Sequence, residues 1–335
     1  MSAGRIRWGV LSTANIGRAA VNPAIQASSN GELVAVASRD AERARSFAAE
    51  HGIPQSFGSY EALLERDDID AVYIPLPNSL HREWAIQAAA AGKHVLCEKP
   101  LALDAAECGE MEAAARDNGV KLMEAFMYRF HPRTERVIEL VRAGRIGELG
   151  AIRSAFTFRL RNSENIRLDP DLGGGALMDV GCYCVNVSRT IMGEEPVAVQ
   201  ATANWTDRGV DEALSGMMRF ADGAVAHFDC ALTLERSESY EVAGTEGQLS
   251  VPAAFLPGVD DVDIHEARGR DGTRAERIPG ADEYRRMVEH FADCVLNDRD
   301  PRYPASEAAA NMRVIAALYA SARSGGAAVT VGSAG

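Results

Sequence analysis

The sequence predicts an α/β protein in two parts, a doubly wound parallel sheet followed by an α+β domain with a large, mostly antiparallel open sheet. Three observations predict it. As far as about residue 125, short apolar runs alternate with helical patterns, the signature of βαβ units whose parallel strands are buried on both faces. From residue 151 onward strand patterns with near-alternating polarity follow one another, separated by turns such as 221–223 and 244–247. A turn of small residues, 12–17, joins the first strand to the first helix, where dinucleotide folds carry G-x-G-x-x-G. The first domain is therefore expected to be of the Rossmann type over residues 1–124. The second spans 125–335, with an alanine-rich helix, 305–324, packing back on the first.

Residues 6–11 form the first strand and 15–27 the first helix. In the turn between them, Ser12, Thr13, Ala14, Asn15 and Ile16 lead to Gly17. Ser12 and Ala14 replace the first two glycines with small side chains, and Gly17 keeps the third. The free N–H groups and positive dipole of the helix that follows suit a pyrophosphate. Residues 33–37 form the second strand, which ends in Ser38, Arg39 and Asp40, with Arg43 one helical turn on. An acid at this place selects the ribose hydroxyls of NAD, and an arginine accommodates the 2'-phosphate of NADP. Asp40 is read either as that acid or, more simply, as the N-cap of helix 41–50. Ser38, Arg39 and Arg43 together favour NADP over NAD.

Helix 59–64 and the buried strand 71–74 lead to Pro75-Leu-Pro-Asn-Ser-Leu-His81, where two prolines open a rigid loop. Leu76, Asn78 and His81 are expected to face the cofactor. Taken singly, Asn78 also reads as a helix cap and His81 as a first-turn histidine. Helix 82–91 brings the chain to Gly92-Lys-His-Val-Leu-Cys-Glu-Lys-Pro-Leu-Ala-Leu103, the stretch around which the first domain is organised. A short buried strand here ends in Glu98 and Lys99, and open α/β sheets place their ligands at the carboxyl ends of strands. Lys93, Lys99 and Lys121 are the only lysines in a chain rich in arginine. An ammonium group can take part in proton chemistry that a guanidinium cannot. Lys99 therefore reads either as a reactive group or as a strand-end lysine solvating its turn. Asp104 caps helix 105–118, and 120–125 is a further strand.

In the second half, Tyr128-Arg129-Phe130-His131-Pro132 leads into a helix ending near 143. Strands are read at 153–160, 197–205, 213–220, 224–232, 239–243 and 247–251, and helices at 285–297 and 305–324. One helix stands among the strands, Gly173-Gly-Gly-Ala-Leu-Met-Asp-Val-Gly-Cys-Tyr-Cys-Val-Asn-Val-Ser-Arg189. Its three glycines are read as letting backbone approach a ligand. Asp179 and Tyr183, four residues apart, share one face. An aspartate among Leu177, Met178 and Val180 is costly to bury unless paired. The plainer alternative makes Tyr183 a core aromatic and Asp179 a cap.

Composition narrows the class. Of the 335 residues 47% are hydrophobic and 25% charged, which excludes disordered and membrane classes. A formal charge of -13 argues against nucleic-acid binding, since no basic stripe meets phosphates. The first residues show no apolar signal region and no segment reaches transmembrane length. The six cysteines lack metal-type pairing and are expected reduced and buried. No metal is expected, and the reading is cytoplasmic.

With the 12–17 turn, Pro75 to His81, Glu98-Lys99-Pro100 and the triple-glycine helix in this order, the chain resembles the glucose-fructose oxidoreductase and inositol dehydrogenase (Gfo/Idh/MocA) family over nearly its whole length. The resemblance implies that Lys99 is catalytic and that Asp179 and Tyr183 handle proton and substrate. Tyrosine at 183 is similar to the branch holding glucose-fructose oxidoreductase, D-xylose and dihydrodiol dehydrogenases and some sugar ketoreductases. It also implies a cofactor contact from Arg167, although the tryptophan that often precedes it is Ile166 here. Substrate contacts are implied from Tyr284 and, beside the catalytic groups, from Tyr128 and Arg129. A dimer or tetramer through the second-domain sheet is implied as well.

The chemistry of the residues agrees with this. Removing hydride from a carbinol carbon requires the oxygen to lose a proton. A phenol is a poor base at neutral pH unless a neighbouring ammonium favours its phenolate. An NADP-dependent aldose dehydrogenase is the leading expectation. An NADPH-dependent reductase of ketosugars or small carbonyl compounds comes second, and a non-catalytic cofactor-binding regulator on the same fold third.

Overall fold

The computed structural model describes residues 4–269 and 272–332. Its contacts divide the chain into two units, Met1–Met127 with Asp282–Ala309, and Tyr128–Ala281 with Ala310–Gly335.

The first unit holds six parallel strands: β1 (Ile6–Leu11), β2 (Gly31–Ala37), β3 (Gln55–Phe57), β4 (Ala71–Ile74), β5 (His94–Cys97) and β6 (Leu122–Glu124). Their order is β3-β2-β1-β4-β5-β6, the Rossmann order, whose reversal between β1 and β4 opens a crevice at the carboxyl ends. Every residue of β4 is buried, as expected of a parallel strand covered on both faces. The helices start where short polar side chains cap them: Asp40 accepts from the N–H groups of Glu42 and Arg43, and Asp104 from that of Glu107. The short edge strand β3 carries too few residues for its alternation to show in the sequence.

The helix that returns to this unit is Glu283–Leu296. It buries Met287, Val288 and Phe291, and Phe291 packs on Trp8 of β1 with ring centroids 5.6 Å apart. The helix expected at 305–324 divides between the two units. Only the first turn of Ala305–Arg323 belongs to the first unit. From residue 310 its small side chains let it lie close on the second sheet, where Ser321 Oγ accepts from Ala201 N–H at 2.9 Å.

The second unit is built on nine strands: β7 (Leu149–Arg159), β8 (Ala198–Trp205), β9 (Asp211–Arg219), β10 (Val225–Ala231), β11 (Thr233–Gly244), β12 (Gln248–Pro252), β13 (Val262–Ala267), β14 (Thr273–Ile278) and β15 (Val329–Thr330). The order is β14-β13-β12-β11-β7-β10-β9-β8-β15. All pairings are antiparallel except β7 with β10. The helix Cys182–Met192 packs on β7 and β10. Strands β13 and β14 escape the sequence reading because their outward positions are polar and little of β14 is buried.

Among the described residues no helix is long and apolar enough to cross a membrane, and all six cysteines are free and buried.

Candidate active site

In the first unit, four loops at strand ends carry the residues singled out by sequence. After β1, Ser12 stands at φ 150°, a backbone region that glycine enters most readily, so the chain keeps the glycine conformation without the glycine. Ala14 O accepts from Arg18 N–H at 3.1 Å, and Asn15 Oδ1 from Arg18 Nη2 at 2.5 Å. The helix opens with a π-turn, Gly17–Val21, before the α-helix Asn22–Ala27. A Cβ at Gly17 would stand 3.4 Å from its nearest neighbour, Asn22 Oδ1, so this glycine is not required by close packing.

After β2, Ser38 is buried and its hydroxyl accepts from Asp40 N–H at 3.3 Å. Asp40 is the helix N-cap, bonded by Glu42 N–H at 2.9 Å and Arg43 N–H at 3.1 Å. The reading as ribose acid is thereby the weaker one. Arg39 and Arg43 are exposed. Burial raises the pKa of the Tyr60 hydroxyl while both guanidinium groups, lying close by, draw it down.

The loop after β4 corrects one expectation. His81 is wholly buried, with Nδ1 3.0 Å from Pro100 O and Nε2 2.9 Å from Leu76 O. Burial first, and Lys99 further, hold its pKa down to about 4 against those two carbonyls. With both nitrogens against backbone carbonyls, of which a neutral ring can donate to only one, the buried imidazole braces the two loops and is turned away from a cofactor. Leu76 is likewise buried, whereas Asn78, the first residue of helix Asn78–Ala90, is partly exposed.

After β5, Glu98 and Lys99 are half-buried and the Lys99–Pro100 peptide is cis. Glu98 Oε1 accepts from Tyr73 Oη at 2.6 Å, and Oε2 from Lys99 N–H at 3.3 Å. Tyr73 was not singled out by sequence, although a phenol in a fully buried strand needs a partner. Burial, Glu98 and then Tyr284 push its pKa well up, which places Tyr284, in the first turn of Glu283–Leu296, beside this group.

In the second unit the glycine-rich segment runs into a π-turn, Leu177–Gly181, and then helix Cys182–Met192. Asp179, with 15% of its side chain exposed, has the partner its burial demands: Arg167 Nε donates to Oδ2 at 2.5 Å. Asn165 Oδ1 accepts from Arg167 N–H at 3.1 Å, and the guanidinium lies 5.8 Å from the Phe158 ring centroid. Arg167 thus stands on Asp179. Tyr183 is 5% exposed and sits among Phe156, Phe255 and Tyr128, with ring centroids 5.3, 5.3 and 5.9 Å away.

Two expectations here are corrected. Tyr128 is fully buried and its hydroxyl donates to Asn186 Oδ1 at 2.6 Å, so it backs Tyr183 and is sealed from substrate. Arg129 is 5% exposed, the same as Tyr183. Gly174 and Gly175 make room for the protein itself: a Cβ would stand 2.5 Å from Arg167 O at the first and 2.2 Å from Asp211 Oδ1 at the second. Asp211 and its partner Tyr319, whose hydroxyl donates to Oδ1 at 2.7 Å, carry no local signal, since 108 residues separate them.

Comparison with known proteins agrees on the family. The model described as "Oxidoreductase family, NAD-binding Rossmann fold" matches residues 6–126, and the "GFO/IDH/MocA C-terminal domain" matches 134–250. The chain belongs to the GFO/IDH/MocA oxidoreductase family. As a member it is an NAD(P)-dependent oxidoreductase. It is 45% identical over 323 residues to D-xylose 1-dehydrogenase (NADP(+)) 2 of Haloferax volcanii, covering 96% of this chain and 98% of the relative. Its fold is similar to that of an aldose-aldose oxidoreductase from Caulobacter crescentus complexed with glycerol, with a TM-score of 0.90, 30% identity and 97% and 99% of the two chains covered. It is similar as well to a 3-ketoreductase from Actinomadura kijaniata in complex with NADP and TDP-benzene, with a TM-score of 0.91, 33% identity and 95% and 98% covered.

The first unit of this GFO/IDH/MocA member fits a nicotinamide dinucleotide. The turn held in glycine conformation at Ser12 opens onto a helix amino end, and two exposed arginines flank Ser38 at the end of β2.

Proposed function

We propose that the chain is an NADP-dependent dehydrogenase of aldoses such as xylose or glucose. The observation that carries this reading is the Arg167–Asp179 pair with Tyr183 one turn further along the same helix. It gives one helical face a held carboxylate and a phenol, the two groups that grip and deprotonate a sugar hydroxyl. The strong likeness to a D-xylose 1-dehydrogenase supports the substrate class, and Ser38, Arg39 and Arg43 support NADP over NAD. When bound, the nicotinamide supplies the hydride acceptor. Tyr183 takes the proton as the sugar C–H and O–H bonds break and the carbonyl forms. The role given to Lys99 is that of an ammonium group able to take part in proton chemistry. Asp179, oriented by Arg167, accepts a hydrogen bond from a neighbouring sugar hydroxyl. Tyr284, close to Tyr73, serves the substrate, while Thr13, Ile16, Asn78 and Glu98 serve the cofactor.

A second reading, reduction of a ketosugar on a nucleotide carrier, is supported by the likeness to the 3-ketoreductase. The enzyme is further proposed to act in the cytoplasm as a homodimer or homotetramer through the second-unit sheet.

Turnover of Tyr183→Phe with NADP and a panel of aldoses tests the assignment. A loss of about a hundredfold or more, with NADP affinity intact, is expected; unchanged turnover refutes it. Higher activity with NADPH and ketosugars than with NADP and aldoses would replace the first reading by the second.

A further inference from the structure

Gly175 ties together the functional parts of the second unit. Its N–H donates to Arg167 O at 2.9 Å, and its carbonyl accepts from Asp179 N–H at 2.9 Å. One residue therefore joins both members of the ion pair through the backbone. Its φ of 131° is one that side-chain-bearing residues rarely adopt. Its α-carbon is pressed against a carboxyl and a phenol, since a Cβ would stand 2.2 Å from Asp211 Oδ1 and 2.7 Å from Tyr319 Oη.

The same carboxylate reaches the next turn. Asp211 Oδ2 accepts from Leu177 N–H at 2.8 Å, at the start of the helical segment that carries Asp179 and Tyr183, while Oδ1 accepts from Tyr319 Oη at 2.7 Å. Asp211 is 1% exposed, so both bonds lie out of water, where such contacts are strong and their loss is expensive. Tyr319 is itself held: Arg323 lies 5.3 Å from its ring centroid and 5.4 Å from that of Trp205. An acid buried this deeply is a poor choice for stability alone. It makes sense where two donors on separate elements must be held to one point.

We propose that Asp211 and Tyr319 are positioning residues for the sugar-oxidising site. They clamp the Gly175 turn, and through it they set the Arg167–Asp179 pair and the first turn of the helix bearing Tyr183. The proposal rests on the roles given above to Asp179 and Tyr183. Displacing a reacting group by about 1 Å costs on the order of a hundredfold in rate, so a clamp remote from the chemistry is felt in turnover.

Steady-state kinetics with NADP and the best aldose of the panel test this in Asp211→Ala, Asp211→Asn and Tyr319→Phe, with Tyr183→Phe alongside. Asp211→Ala is expected to raise the sugar KM and lower kcat/KM by about 10- to 100-fold, with NADP affinity by fluorescence titration unchanged. Tyr319→Phe, which removes one hydroxyl, is expected to do the same by about 3- to 10-fold. Asp211→Asn should recover activity to within a few-fold, because its amide oxygen accepts from Leu177 N–H and its NH2 donates to Tyr319 Oη. A merely structural role would lower the active fraction, reducing kcat with the sugar KM unmoved and no rescue by asparagine; that pattern overturns the proposal. So does an unchanged sugar KM in both Asp211→Ala and Tyr319→Phe while Tyr183→Phe is crippled. If Asp211→Ala does not fold, the conservative Tyr319→Phe decides alone. Normal turnover in Tyr183→Phe would instead remove the site assignment on which the clamp acts.

Discussion

Arg167 Nε donates to Asp179 Oδ2 at 2.5 Å across 12 residues of sequence, joining the turn Ile166–Leu168 to the helix that carries Tyr183. The guanidinium is more than a third exposed, so water screens the pair and its worth to stability is small, about 1 kcal/mol or less. Its effect belongs to orientation. Arg167→Gln is expected to lower sugar kcat/KM by roughly tenfold, about 1.4 kcal/mol in the transition state, with a melting temperature within a few degrees of the parent. A large loss of melting temperature at unchanged kcat/KM would make the pair structural.

Arg39 and Arg43 are the exposed cations at the end of β2. With Asp40 capping its helix, the proposed discrimination between the two dinucleotides rests on them. Arg39→Ala should weaken NADP binding by about 10- to 100-fold, the worth of one or two charge-assisted hydrogen bonds, and leave NAD affinity nearly unchanged. Equal losses for both cofactors would show that Arg39 contributes general attraction only.

Two buried groups tilt stability in opposite directions with pH. His81, fully buried, titrates near pH 4 in the folded chain and near 6.5 unfolded. Its contribution is therefore present above pH 6.5 and is lost as pH falls through 4, a change of about 3 kcal/mol. Asp211 faces Leu177 N–H, the Tyr319 hydroxyl, Cys230 and Arg323, and burial pushes its carboxyl up to about 6 from 3.8. Its contribution is present below pH 3.8 and is lost as pH rises through 6, again by roughly 3 kcal/mol. Chemical denaturation between pH 4 and 7 should show Asp211→Asn gaining relative to the parent as pH rises. A difference independent of pH would mean that Asp211 titrates normally.

Gly175→Ala combines an unfavourable φ with a Cβ driven into Asp211 and Tyr319. A loss of about 2–4 kcal/mol is expected, read as a melting temperature several degrees lower. Gly193, at φ 73° with nothing within 4 Å, gives a control whose replacement costs about 1 kcal/mol from backbone conformation alone. Similar losses at the two positions would remove the steric account.

Much of this was legible in the chain because local physics writes it there. Asp40 and Asp104 cap their helices as their positions before helical runs require. Continuous apolar runs such as 71–74 lie in the parallel sheet, and alternating ones such as 198–205 in the antiparallel sheet. The 12–17 turn, Glu98-Lys99-Pro100 and the triple-glycine helix, taken in order, pointed to the family. By contrast, β13 and β14 were missed because a polar edge hairpin carries no hydrophobic period.

Residue type and spacing along the chain sufficed for the layers, the caps, the cofactor fold and the helical face shared by Asp179 and Tyr183, because each depends on neighbours a few residues away. They could not say which polar groups the protein would spend on itself. His81 and Tyr128 read as ligand contacts until burial showed their polar atoms turned inward, toward Pro100, Leu76 and Asn186. Arg167 acquired its partner, and Asp211 and Tyr319 each other, only when folding brought distant segments within hydrogen-bond reach. Buried polar atoms must be satisfied by whatever the fold places beside them, and that neighbour is a property of three dimensions.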